Sequence, residues 1–175
     1  MKNNELKQFQ ISTGSSSASE TVFVGPTPSY LIICFVPATT VNGNLNKSPF
    51  AFLRHNVKSI AVTLDGDNTL FRHTTLGSET DLIGYNSLMS ITSSKVFGNG
   101  ISRTKYSENT FLIGVAITPS QLTNRFFPPK SGSLKIELSF EKPTEESLNC
   151  IVFGQFQSLL QIDKDLQVYS DSVIV

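Results

Sequence analysis

The chain has 175 residues, with 14 basic side chains against 14 acidic ones, and 39% of it is hydrophobic while only 16% is charged. That length suits one domain, 1–175, with its own core. Zero net charge argues against a dedicated nucleic-acid binder, which carries a basic excess, and the apolar, charge-poor mix excludes a disordered chain.

Residues 1–7 are polar and lack the apolar stretch of a secretory signal. They are expected to form a flexible end, and the protein is expected to remain in the cytosol or nucleus, without a membrane anchor. The dominant hydrophobic period beyond them is two, which marks strands. Short strands are predicted at 9–12 and 21–24, with a Ser/Gly-rich break at 14–19 and a Gly/Pro break at 25–28. The run Tyr-Leu-Ile-Ile-Cys-Phe-Val at 30–36 is the longest apolar stretch. A membrane helix needs about 20 such residues, so this run reads as a buried strand. Cys34 within it, and Cys150 in a later apolar run, read as reduced core thiols.

After a polar break at 42–49, residues 57–65 place Ile60, Val62 and Leu64 on one face. They stop at Asp65-Gly66, a tight-turn pair, and 67–72 returns as the paired strand. A long excursion follows to about residue 110. Within it, 80–89 suits a helix with Leu82, Tyr85 and Met89 on its buried face and Thr80 as cap. Gly84 weakens that helix by about 1 kcal/mol. Residues 111–117 are apolar on both faces, and Thr118-Pro119-Ser120-Gln121 has the form of a capping box with proline at the first helical position.

Arg125-Phe126-Phe127-Pro128-Pro129-Lys130 puts two large aromatics into a loop. Loops run over the surface, so these rings either tuck beneath the loop or anchor a subunit interface. Arg125, Phe126 and Phe127 are therefore the candidate assembly contact. Residues 134–140 alternate cleanly, with Leu134, Ile136, Leu138 and Phe140 opposite Lys135, Glu137 and Ser139. Residues 150–156 are again apolar on both faces, and 159–162 and 166–169 are short strand candidates. Strands at 30–36, 111–117 and 150–156 need cover on both sides, or one side meets another subunit.

Eight or more short strands imply a sandwich or barrel. The long connection between sheets favours an all-β fold: a single eight-stranded antiparallel jelly-roll sandwich with one or two short helices in loops.

Nothing here carries recognisable chemistry. His55 and His73 have no partner at metal-ligand spacing. Asp65-Gly66-Asp67-Asn68 has its glycine misplaced for a calcium loop and no Glu at the twelfth position. Gly14-Ser15-Ser16-Ser17 lacks the Lys and helix of a phosphate cradle, and Glu145-Glu146 sits in a polar connection. The reading is of a non-enzyme, with no catalytic, cofactor-binding or metal residue and no cofactor. A non-catalytic β-sandwich binding module, lectin-like or receptor-binding, is the alternative, with Tyr85, Tyr106, Asn109 and Phe127 as its binding material.

The segments form an ordered set. Asn46 through Phe52 precedes the strand ending at Asp65-Gly66; then come Tyr85-Asn86-Ser87-Leu88-Met89-Ser90, the strand at 111–117 closing on Thr118-Pro119, Gly132 through Phe140, and Leu148 through Phe156. This order resembles the C-terminal half of hexon-like capsid proteins of Polinton/Maverick-type elements and adenovirus-like DNA viruses. The resemblance implies two jelly rolls per subunit and a trimeric capsomer, whereas this chain has length for one roll. It further implies a structural protein that acts by self-association. Its partners would be copies of itself or a companion jelly-roll chain, in a virion, with no direct nucleic-acid binding.

Overall fold

The computed structural model describes residues 2–41, 43, 46–66, 68–73, 82–92, 100–118, 130–157, 160–162 and 168–170. In chain order the elements are β1 (Lys2–Ile11), β2 (Ser17–Pro26), β3 (Tyr30–Pro37), α1 (Ala38–Val41), β4 (Val57–Leu64) and β5 (Asn68–His73). There follow α2 (Leu82–Ile91), α3 (Arg103–Glu108), β6 (Ile113–Ala116), β7 (Ser131–Phe140), β8 (Leu148–Gln157), β9 (Leu160–Ile162) and β10 (Val168–Ser170).

Eight strands make two four-stranded antiparallel sheets, ordered β1-β8-β3-β6 and β2-β7-β4-β5; β9 and β10 pair separately. The first and eighth strands lie side by side, and the chain passes repeatedly between the sheets. That is the strand order of a jelly roll, so the all-β sandwich expected from the alternation is the architecture observed.

The alternation places the core. In β7, Leu134, Ile136, Leu138 and Phe140 are buried while the residues between them are half-exposed. From the facing sheet, Leu31, Ile33 and Phe35 of β3 and Cys150 and Val152 of β8 enter the same cluster. Phe23 of β2 meets Phe156 of β8 edge-on, with ring centroids 5.2 Å apart.

The turn after β4 forms where Asp65-Gly66 predicts it. Both residues have positive φ, 54° and 80°, which Gly tolerates freely and Asp better than most. The Asp65 carboxylate accepts a hydrogen bond from the Ser133 backbone N–H at 2.8 Å, and the Asp65 N–H donates to the Ser133 carbonyl at 2.9 Å. Asp65→Ala loses the side-chain bond and strains the backbone. It is expected to cost about 1–2 kcal/mol in a urea melt; a variant as stable as the parent would show that the carboxylate only decorates the turn.

Several boundaries differ from the sequence reading. Residues 2–7 are not a loose end. They are the first part of β1, in register with β8 from Lys2 opposite Gln157 to Ile11 opposite Leu148. A strand at a sheet edge buries little on its free side, so its polar residues hid it. β2 likewise extends to Ser17–Pro26 beyond the expected 21–24, because small outward-facing serines are compatible with a ladder. The helix near 80–89 is present as α2 but buries another face: Gly84, Leu88 and Ile91, with Leu82 48% exposed. Its Thr80 cap, and the turn expected at 119–121, lie outside the described residues. α3 was not expected. Ser102 caps it, accepting from the Lys105 N–H.

Gly114 explains the choice of face on α2. A Cβ built there would sit 2.7 Å from the Leu88 Cα and 2.8 Å from the Ile91 Cδ1. The helix rests directly on β6, with the Leu88 backbone and the Ile91 side chain making that close approach. None of the described helices is long and apolar enough to cross a membrane.

Candidate functional site

The two sheets of the sandwich each turn one face away from the core. The two outer faces here differ in chemistry.

On the β2-β7-β4-β5 sheet, register sets the outward rows Ser17–Ser139–Ser59, Ser19–Glu137–Ala61–Arg72 and Thr21–Lys135–Thr63–Thr69. Lys135 and Glu137 are paired at 2.9 Å, and the Ser59 and Ser139 hydroxyls are hydrogen-bonded at 2.5 Å. The small residues leave a shallow concavity of about 450 Å³ bounded by Ser17, Ser59, Ser139, Arg72 and Glu137. Its volume would suit a small ligand, but ligand sites are mostly apolar with a few converging polar groups. This one is a hydroxyl-lined, open surface, and its half-exposed ion pair contributes little.

On the β1-β8-β3-β6 sheet the central outward row is apolar, and the rows beside it mix amides with apolar side chains. Leu6, Phe153 and Ile32 stand opposite one another on β1, β8 and β3, and the row ends at Gly114 under α2. The neighbouring rows are Gln8–Ile151–Cys34 and Asn4–Gln155–Tyr30–Ala116. Tyr30 and Phe153 rings lie 6.3 Å apart, and the Gln155 amide donates to Asn4 Oδ1 at 3.3 Å. The three runs read as apolar on both faces, 30–36, 111–117 and 150–156, contribute β3, β6 and β8, all in this one sheet. α2 covers the β6 end of its outer face. Leu6, at the β1 end, is 62% exposed.

Cys34 and Cys150 are both free and buried, and they point to opposite faces of adjacent strands. Burial pushes the Cys34 thiol up to about 11 and raises Cys150 as well, the latter aided by Cys34. At pH 8 only roughly one Cys34 in a thousand is thiolate, and thiolate is the reactive form. A thiol reagent is expected to label neither cysteine in the native protein and both in denaturant. The linkage sign follows. A thiol protonated more tightly when folded gives its full contribution below its ordinary value near 9, and loses it as pH rises toward the folded value. Stability should therefore fall between about pH 9 and 11, with a smaller fall in Cys34→Ala.

The other singled-out residues scatter. His73 lies on β5 opposite Ile60 and is buried. His55 precedes β4 with a φ of 50°, and burial lowers its pKa, with Glu146 opposing and Lys47 reinforcing. Among the described residues no three His, Cys, Asp or Glu side chains gather as metal ligands. Tyr106 is buried between Tyr85 and Phe111, with ring centroids at 5.4 and 5.6 Å, and the Tyr85 hydroxyl donates to the Ile101 carbonyl. These rings pack α2 and α3 onto the sandwich, and Asn109 caps α3. Arg125, Phe126 and Phe127, the last also offered as binding material, lie outside the described residues. What the sequence reading did not single out is the outward row on β1 and β8. Its signal was the odd-numbered Ile151 and Phe153 and the lone Leu6 among polar neighbours.

The fold is similar to that of a viral major capsid protein. The crystal structure of the major capsid protein P2 from Bacteriophage PM2 matches with a TM-score of 0.50 and 11% identity, over 92% of this chain and 56% of that one. The mavirus major capsid protein matches with a TM-score of 0.45 and 10% identity, over 97% of this chain and 40% of that one. The chain thus spans little more than half the length of P2. No protein-family model matches the sequence, and no curated protein does.

Proposed function

We propose that this chain is a structural protein, one jelly roll of a capsid-type building block that acts by self-association and carries out no chemistry. The observation that carries the reading is the strand order, β1-β8-β3-β6 against β2-β7-β4-β5, together with the fold shared with P2 over 92% of the chain. Its partners are copies of itself or a companion jelly roll that supplies the length P2 has in addition. The balanced 14 against 14 charges let copies approach without net repulsion and offer no basic surface to a genome. A virion is the place such a protein would work. The binding-module reading has weaker support, since Tyr106 is buried and Tyr85 is engaged in packing.

Light scattering across a concentration series, with negative-stain imaging of any large species, tests this. Discrete oligomers, rings or shells are expected. A strict monomer at millimolar concentration, alone and mixed with candidate companion rolls, would remove the reading. We further propose the Arg125–Phe126–Phe127 loop as one contact. Replacing both phenylalanines by serine is expected to shift the assembly midpoint at least tenfold upward in concentration while far-UV circular dichroism stays unchanged; unaltered assembly would exclude the loop.

A further inference from the structure

We infer that the outer face of the β1-β8-β3 part of the first sheet is a two-fold contact between two copies of this chain. The inference rests on the self-association reading and names the surface it uses.

A sheet face open to water normally turns polar residues outward. Here Leu6, Phe153, Ile32 and Ile151 face outward in adjacent register positions. Leu6 is 62% exposed, and the other three are half-buried. The same face is already covered where it reaches β6, because Gly114 lets α2 lie directly on the strand. Cover also reaches β3, where the outward Cys34 and Val36 are buried, and the apolar row continues onto β8 and β1. Such a continuous patch marks an interaction surface.

Charge decides the occupant. At positions 4–10 of β1, 149–155 of β8 and 30–36 of β3, every outward residue is uncharged. The opposite sheet turns Arg72, Lys135 and Glu137 outward instead. An isologous contact sets a surface against itself, so a charged rim would bring like charges together. The rim here is Gln8, Gln155 and their amide neighbours, and an amide both donates and accepts, so it is its own complement. The patch measures roughly 14 by 26 Å from strand spacing and rise. Two copies would bury roughly 700 Å² in all, below the range of stable specific interfaces, so a weak, concentration-dependent dimer is expected.

The test compares the full chain with Leu6→Glu and Gln8→Lys by light scattering over a concentration series. Val24→Glu is the control, at a residue 77% exposed on β2 of the other sheet. Circular dichroism checks the fold of each. The parent should pass from monomer to dimer, both β1 variants should need at least tenfold more protein, and the control should follow the parent. If the parent associates and the β1 variants associate equally well, this face is not the contact, while self-association stands. If all three variants weaken association equally, charge rather than this face is responsible, and the inference is overturned. A parent that stays monomeric throughout overturns the inference, while the reading beneath it falls only if the chain also fails to associate with candidate companion rolls.

Discussion

Phe35→Ala is expected to cost about 3–5 kcal/mol, the range for truncating a buried aromatic. Phe35 is fully buried at the middle of the sandwich, on β3 opposite Cys150 of β8. Its ring is among the largest fully buried side chains and belongs to the cluster formed by both sheets. Removing it leaves a void that neighbours fill only partly, since both flanking strands are held by ladder hydrogen bonds. Small domains hold about 5–15 kcal/mol in all, so one truncation consumes a large share. The urea midpoint should fall with the slope unchanged, because the surface exposed on unfolding is nearly the same. Phe50→Ala is the matched control. That ring is 79% exposed, and its loss should change stability by no more than about 0.5 kcal/mol. Equal effects at the two positions would mean that the core is not centred on β3.

How much of this was legible follows from where period two dominates. Leu134 to Phe140 could be read directly, since β7 is central in its sheet and has one wet face. Asp65-Gly66 marked its turn because positive φ at two successive residues selects those residue types. β1 was read only near Phe9, because an edge strand of Asn, Gln, Glu and Lys has no apolar alternation to detect. The face of α2 was misread for a different reason. Leu82 and Tyr85 carry the apolar spacing, but the helix presses Gly84, Leu88 and Ile91 inward, and that depends on Gly114, more than twenty residues away. Local periodicity cannot report such a contact. The outward row on β8 was seen only as an apolar run. Its registration against Leu6 of β1 is a long-range pairing that no single segment contains.

That distant contact gives the second large effect. Gly114→Val should destabilise the protein by about 1–3 kcal/mol or more, through overpacking rather than through a cavity. Even the first carbon of a side chain would stand 2.7 Å from the Leu88 Cα and 3.0 Å from the Leu88 nitrogen. Those are backbone atoms, so no rotamer change relieves the clash. Either α2 lifts from β6 or β6 shifts within its sheet. β6 is an edge strand paired only with β3, so it offers the less costly route for a small shift, but valine needs more room than that. Lifting α2 breaks the contacts of Leu88 and Ile91, both buried, while the core beneath keeps its own packing. Hydrogen exchange should therefore separate this variant from Phe35→Ala. In Gly114→Val, amides of α2 are expected to exchange faster than those of β7 and β8 by a margin absent in the parent. In Phe35→Ala all three should speed up together. Gly114→Ala should lie between the parent and the valine variant, since it adds the clash with Leu88 without the extra methyl groups. A valine variant as stable as the parent, with α2 as protected as before, would mean that the helix does not rest on β6 in solution, and that the covered end of this sheet face is as open as its β1 end.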